Sequence, residues 1–179
     1  MFVNWHLLSM KLIGTILLLS LVCSAQSAHY GHHGKTALPD SKVTHGAVNN
    51  SCVADTSGKR HMVSGIEENI CASDFRTGPI RAQIKNFKKL KQQACDLYGL
   101  KTCDSSTEGD HLVSLEICGC PDCFTNLWPQ PMDEAREKDH QVEDVLPKLI
   151  CAGKISLKSA QRCIAEDWVS CEEKIAGLK

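Results

Sequence analysis

The chain has 179 residues, 20 basic and 21 acidic side chains, a formal charge of −1 and 11 cysteines. That length fits a single globular domain. The near-neutral balance speaks against an indiscriminate nucleic-acid binder, whose affinity rests on neutralising phosphates.

Residues 1–25 stand apart from that domain. They carry one charge, Lys11, then an apolar run from Leu12 to Val22 and small residues before Ala25 and Ser27. This is the layout of a secretory signal peptide, and the run is shorter than the roughly 20 residues of a membrane span. A lipid anchor at Cys23 and an uncleaved anchor are the competing readings. Cleavage leaves a secreted or periplasmic chain at about −2, with no membrane contact. The ten remaining cysteines, an even and dense set behind a leader, read as a disulfide framework. The cluster Cys118-Gly-Cys120-Pro-Asp-Cys123 also admits zinc, but a structural zinc wants four ligands and there is no second knuckle.

Residues 26–65 read as an extended, flexible arm. His29, His32 and His33 lie in it, as a solvated tail or as metal ligands. A short strand is expected around Ile70. The spacing of Ile80, Ile84, Phe87, Leu90, Ala94 and Leu97 predicts a helix over 79–98, opened by Pro79 and stopped by Gly99. Arg81, Lys85, Lys88, Lys89 and Lys91 fall mostly off that stripe, as a solvated face or a ridge that tracks phosphates. A polar loop precedes a short strand over 111–117, a turn at 118–123 and a second extended segment over 124–128. Residues 132–151 read as helical, with acidic residues at the start and Pro147 dividing the run. A last helix starts at the Ser156 cap and runs to Cys171, with a tail over 172–179. No internal repeat appears. The fold class is α+β, α-rich, with one small hairpin stapled by disulfides.

Asp110 and His111 open that hairpin and Asn126 stands on its return. A carboxylate oxygen suits Mg²⁺ or Mn²⁺, ahead of Zn²⁺. A neighbouring imidazole, sent to the other face of a strand, suits general-base work near pH 7. An amide at 126 can fix the loop by hydrogen bonds. A surface histidine beside an aspartate is the plainer alternative.

The segment DHLVSLEICGCPDCFTNLWPQP, with Ala135, Arg136, Lys138 and Asp139 after it, resembles the ββα-metal finger of HNH-family endonucleases. It is most similar to small secreted bacterial proteins of that kind. The likeness spans roughly 38–170 and implies an HNH-like domain over 66–171 with flanking helices. It implies that His111 activates water against a phosphodiester in DNA or RNA, that Asp110 binds the metal and that Asn126 positions the loop. Glu116 matches in a supporting place. Arg136 and Lys138 join Arg81, Lys85, Lys88, Lys89 and Lys91 as candidate nucleic-acid contacts. The likeness also implies a Cys71–Cys151 pair, and Cys95 and Cys103 are close enough in sequence to close a small loop. The chain departs from the pattern at Ser114, His45 and Pro147; Cys118 and Cys120 flank a single glycine where the family tends to have two, and Cys123 falls in the turn. The third HNH metal ligand has no evident counterpart: Glu134 and Asp139 are candidates, and His140 lies too far along the helix. The expected function is an exported, metal-dependent nuclease of weak sequence specificity. The alternative is a non-catalytic, disulfide-rich module on a degenerate HNH scaffold that binds a protein or polyanion. The oligomeric state is left open.

Overall fold

A computed structural model describes residues 29–179; the leader expected over 1–25 lies outside the described residues. The protein is a small α+β molecule built from three two-stranded antiparallel ribbons and several short helices. No helix among the described residues is long and apolar enough to cross a membrane.

The amino-terminal arm is folded, contrary to the flexible segment expected. Tyr30–His33 (β1) and Thr36–Pro39 (β2) form a hairpin turned at Gly34, whose φ of +61° suits glycine. Its anchor is aromatic: the Tyr30 ring lies 5.3 Å from Tyr98 and 6.1 Å from Trp128, and its hydroxyl donates to the Pro129 carbonyl. A second ribbon joins Met62–Val63 (β3) to Ile66–Glu67 (β4), just before the strand expected at Ile70.

The long helix expected over 79–98 is broken. Gly78–Gln83 (α1) ends where Ile84 turns extended, and Phe87–Leu97 (α2) begins after Asn86 at φ 58°. Asparagine is among the few residues that tolerate the left-handed region. The break swings Phe87 onto the hairpin, and it leaves Leu97, expected in the core stripe, 53% exposed.

The central ribbon lies several residues outside the expected positions, earlier in the first strand and later in the second. Thr107–His111 (β5) pairs with Leu127–Pro131 (β6), placing Asp110 opposite Trp128 and His111 opposite Leu127. Residues 112–117 do not continue the strand. Leu112, Val113, Leu115 and Ile117 are all buried, so their apolar run enters the core on every side and curls into a 3₁₀ turn at Leu115–Ile117. Phe124–Asn126 is likewise a 3₁₀ turn. The crossing at Gly119 needs glycine, because a Cβ there would stand 1.8 Å from the Val113 carbonyl oxygen.

Met132–Lys138 (α3) follows β6 directly, widens into a π-helical segment at Asp139–Glu143, and resumes as Leu146–Cys151 (α4) with Pro147 in its first turn. Pro147 divides the run as expected. Ser156 caps Leu157–Glu166 (α5) by accepting from the Ser159 N–H. The chain then breaks at Asp167, whose carboxylate accepts from the Val169 and Ser170 N–H groups and opens Trp168–Ala176 (α6). The tail expected over 172–179 is therefore mostly helix, with Ile175 fully buried.

Two apolar clusters form the core. The larger gathers Val113, Ile117, Val142, Leu146, Ile164, Trp168 and Ile175. The smaller holds Ala37, Tyr98, Leu112 and Trp128. Leu112 and Val113 enter opposite clusters, so His111 lies where they meet. Among the described residues five disulfides tie these elements together: Cys52–Cys118, Cys71–Cys151, Cys95–Cys103, Cys120–Cys123 and Cys163–Cys171.

Candidate functional site

Strand alternation sends Asp110 and His111 to opposite faces of β5. Asp110 turns toward α3, where its Oδ2 accepts from Trp128 Nε1 and from Lys138 Nζ, both at 2.7 Å. Lys138 was expected to face nucleic acid. It is instead fully buried, and its ammonium spends all three protons on Asp110, the His111 carbonyl and Glu143. Asp110 and Glu143 hold the ammonium charged, so the Lys138 pKa rises despite burial. Burial pushes the Glu143 carboxyl up to about 8, against the pull of Lys138. The widened π turn makes this pair possible, because it brings residue 143 beside residue 138.

His111 turns the other way, toward α2. Its ring stacks on Phe87 with centroids 6.1 Å apart. Its Nε2 lies 2.8 Å from the Pro121 carbonyl. A carbonyl only accepts, so Nε2 carries the proton and Nδ1 keeps the lone pair. Nδ1 has no partner among the described residues and is not sealed from solvent. Burial holds the His111 pKa below its usual value, which keeps the ring neutral at pH 7.

Asn126 ties the intervening loop together. Fully buried, its side chain accepts from the Val113 N–H and donates to the carbonyls of Val113 and Cys120. Those three bonds fix the turn that presents Pro121 to His111.

Besides Glu143, two acidic groups lie close enough to Asp110 to feel its charge. Glu108 lies two residues earlier on the same strand face. Asp139 opens the π segment. Burial and the nearby Asp110 charge raise the carboxyl pKa of both. Glu116 forms an ion pair with Arg81, at 3.5 Å. Gln130, opposite Glu108, is fully buried with neither amide atom hydrogen-bonded to protein.

The candidate ligand set Asp110, Glu134 and Asp139 does not converge. Glu134 Oε2 accepts from the Ala37 N–H on β2, which commits it to holding the amino-terminal hairpin. Among the described residues, three ligand atoms come together only at Cys120, Asp122 and Cys123, and there the two sulfurs are bonded to each other. The residues that remain fit a looser arrangement. Mg²⁺ takes one or two carboxylates and completes its shell with water and phosphate oxygens. Asp110 Oδ1, without a partner among the described residues, and the half-buried Asp139 are such a pair, and their mutual repulsion is what a cation relieves.

The lysines fall into two groups. Lys88, Lys89 and Lys91 line an open hollow of about 530 Å³ with Asn86, Gln92 and Cys103. Lys91 also donates to the Asp104 carbonyl, and its stem lies over Gly109, next to Asp110. Lys85 is exposed at the break between α1 and α2, and Arg136 is exposed on α3.

Sequence reasoning missed Phe87, Glu108, Gln130 and Glu143. Period-two alternation back from Asp110 would have found Glu108. No helical spacing points to Glu143, because a five-residue step is a property of the π turn. Searches of protein-family models, curated proteins and solved structures returned no match to this chain.

Proposed function

We propose that the protein is an exported nuclease of the HNH type, hydrolysing phosphodiester bonds in DNA with weak sequence preference. The observation that carries this reading is His111, a buried neutral imidazole with Nε2 committed to the Pro121 carbonyl and Nδ1 left as the basic nitrogen. The order hairpin then helix, with Asp-His on one strand and a loop-binding asparagine before the other, supports it too. So does the lysine-lined hollow on α2, whose first residue, Phe87, stacks on His111.

In this reading His111 Nδ1 takes the proton of an attacking water. Lys88, Lys89 and Lys91 hold the backbone of the strand, contacts that carry little sequence information. Arg81 swings from Glu116 to the scissile phosphate. Asp110 and Asp139 would hold Mg²⁺ or Mn²⁺, which when bound supplies charge stabilisation at the phosphate and leaving oxygen. Lys138 contacts no substrate and keeps Asp110 and the His111 backbone in register. The five disulfides accord with export.

One observation favours a second reading, a binding module without catalysis: Asp110 is already engaged by Trp128 and Lys138, and no third metal ligand joins it. The deciding experiment is plasmid nicking by the oxidised chain from Gln26, in Mg²⁺ or Mn²⁺ against EDTA, beside His111→Ala. Metal-dependent nicking that falls about 10²–10⁴-fold in the variant is expected. Folded protein that retains DNA on a gel without nicking it moves the assignment to the binding module.

A further inference from the structure

The turn that holds the His111 acceptor is closed by a disulfide of its own. Cys120 and Cys123, three residues apart, are bonded across Pro121 and Asp122. Every other anchor of this turn is in place as well. The Cys120 N–H donates to the Ala47 carbonyl, the Cys120 carbonyl accepts from Asn126 Nδ2, and the Cys123 carbonyl accepts from the Asn126 N–H. Pro121 has a fixed φ and no N–H, so its carbonyl is the one polar backbone group it offers. That carbonyl points at His111 Nε2 from 2.8 Å.

We propose that the Cys120–Cys123 disulfide is a positioning element for His111: it locks the Pro121 carbonyl against Nε2 and so makes Nδ1 the lone-pair nitrogen of the ring. The two sulfurs touch no substrate and take no part in the reaction. They select a tautomer, which decides whether the nitrogen facing away from the turn is a base or a donor. Without the bond, the Ala47 and Asn126 contacts still hold Cys120 and Cys123, but the Pro121–Asp122 segment between them can turn its carbonyl to water, and the ring then samples both tautomers. The catalytic meaning of this lock rests on the nuclease reading above; the lock itself does not.

The test reads the ring directly. Long-range ¹H–¹⁵N spectra of the oxidised chain should show His111 as a single Nε2–H tautomer, with a hydrogen-bonded imidazole proton protected from exchange. In Cys120→Ser/Cys123→Ser that proton signal should be lost and a Nδ1–H population should appear. Cys163→Ser/Cys171→Ser, which opens the disulfide between α5 and α6, should leave the ring unchanged. If the turn variant does not fold, stepwise reduction of the native chain by a phosphine, with water supplying the oxygen of the phosphine oxide, gives the same reading once alkylated cysteines are mapped. A Nδ1–H tautomer in the native chain overturns the proposal. So does an unaltered ring after loss of the 120–123 bond, or an equal change in the 163–171 variant. Nicking should fall roughly tenfold in the turn variant, a part of the 10²–10⁴-fold that a general base contributes. If no form of the protein nicks DNA, the nuclease reading fails while the tautomer result still decides the lock.

Discussion

Lys138 shows how much one side chain can decide. A lysine on a helix that follows a candidate nuclease hairpin reads as a phosphate contact, yet this one is sealed between Asp110 and Glu143. Removing it leaves two buried carboxylates facing each other without a cation. Lys138→Met should therefore cost about 3–5 kcal/mol in urea unfolding, and it should weaken DNA binding no more than that loss of fold explains. Glu143 sets a pH dependence of unusual sign. Its folded pKa, about 8, lies above the ordinary 4.5, so between those values the folded protein binds more protons than the unfolded chain. Its contribution is fully present below the unfolded value and is lost as pH rises through the folded one. The melting temperature should decline from pH 5 to pH 8, and Glu143→Gln should flatten that decline. His111 acts in the opposite sense, since a depressed pKa withdraws stability as pH falls; the profile of His111→Ala separates the two.

Among the elements, α2 has the clearest surface role. Its Phe87 end stacks on the candidate base, and the lysines of the same first turns line an open hollow. Each lysine that displaces a counterion from DNA contributes about 0.9 to the slope of log affinity against log salt. Replacing Lys88, Lys89 and Lys91 together by glutamine should lower that slope by about 2–3, measured by fluorescence anisotropy on a short duplex. A slope unchanged by the triple variant would place the DNA elsewhere. The break at Asn86 also explains why a continuous apolar stripe misreports this region. Ile80 and Ala94 are buried as the stripe predicts, but Phe87 serves the hairpin face and Leu97 reaches solvent. The π turn at 139–143 is comparable: its residues are those of an ordinary helix, and only the buried Lys138–Glu143 pair accounts for the extra residue in the turn.

At the scale of the whole molecule, the disulfides differ in what they restrain. Cys71–Cys151 spans 80 residues and joins the loop after β4 to the end of α4, whereas Cys163–Cys171 spans 8 and staples α5 to α6. Loop-closure entropy makes the long bridge the more stabilising, at about 4 kcal/mol against roughly 2–3 for the short one. Chemical denaturation of Cys71→Ser/Cys151→Ser beside Cys163→Ser/Cys171→Ser should give that order. The amino-terminal hairpin belongs to the same accounting. Tyr30 and Glu134 hold it against β6 and α3, so deleting residues 29–39 should expose Trp128 and lower the melting temperature.

The sequence alone determined what depends on local chemistry. It placed the Ser156 cap, the division at Pro147 and an α+β, disulfide-stapled class, because caps, proline and cysteine count act within a few residues or by composition. It also singled out Asp110, His111 and Asn126 as the residues of interest. Only the tertiary structure decided their surroundings. Strand 107–111 was hidden because its polar residues point at a helix and a loop that lie far away in sequence. Glu134 left the ligand set because Ala37, 97 residues distant, offered it an N–H. Lys138 went inside because two carboxylates and a backbone carbonyl converge on its ammonium, and the Pro121 carbonyl reached His111 because a disulfide closed the turn. Burial and long-range pairing set the charge and the tautomer of each group, and neither can be read from spacing along the chain.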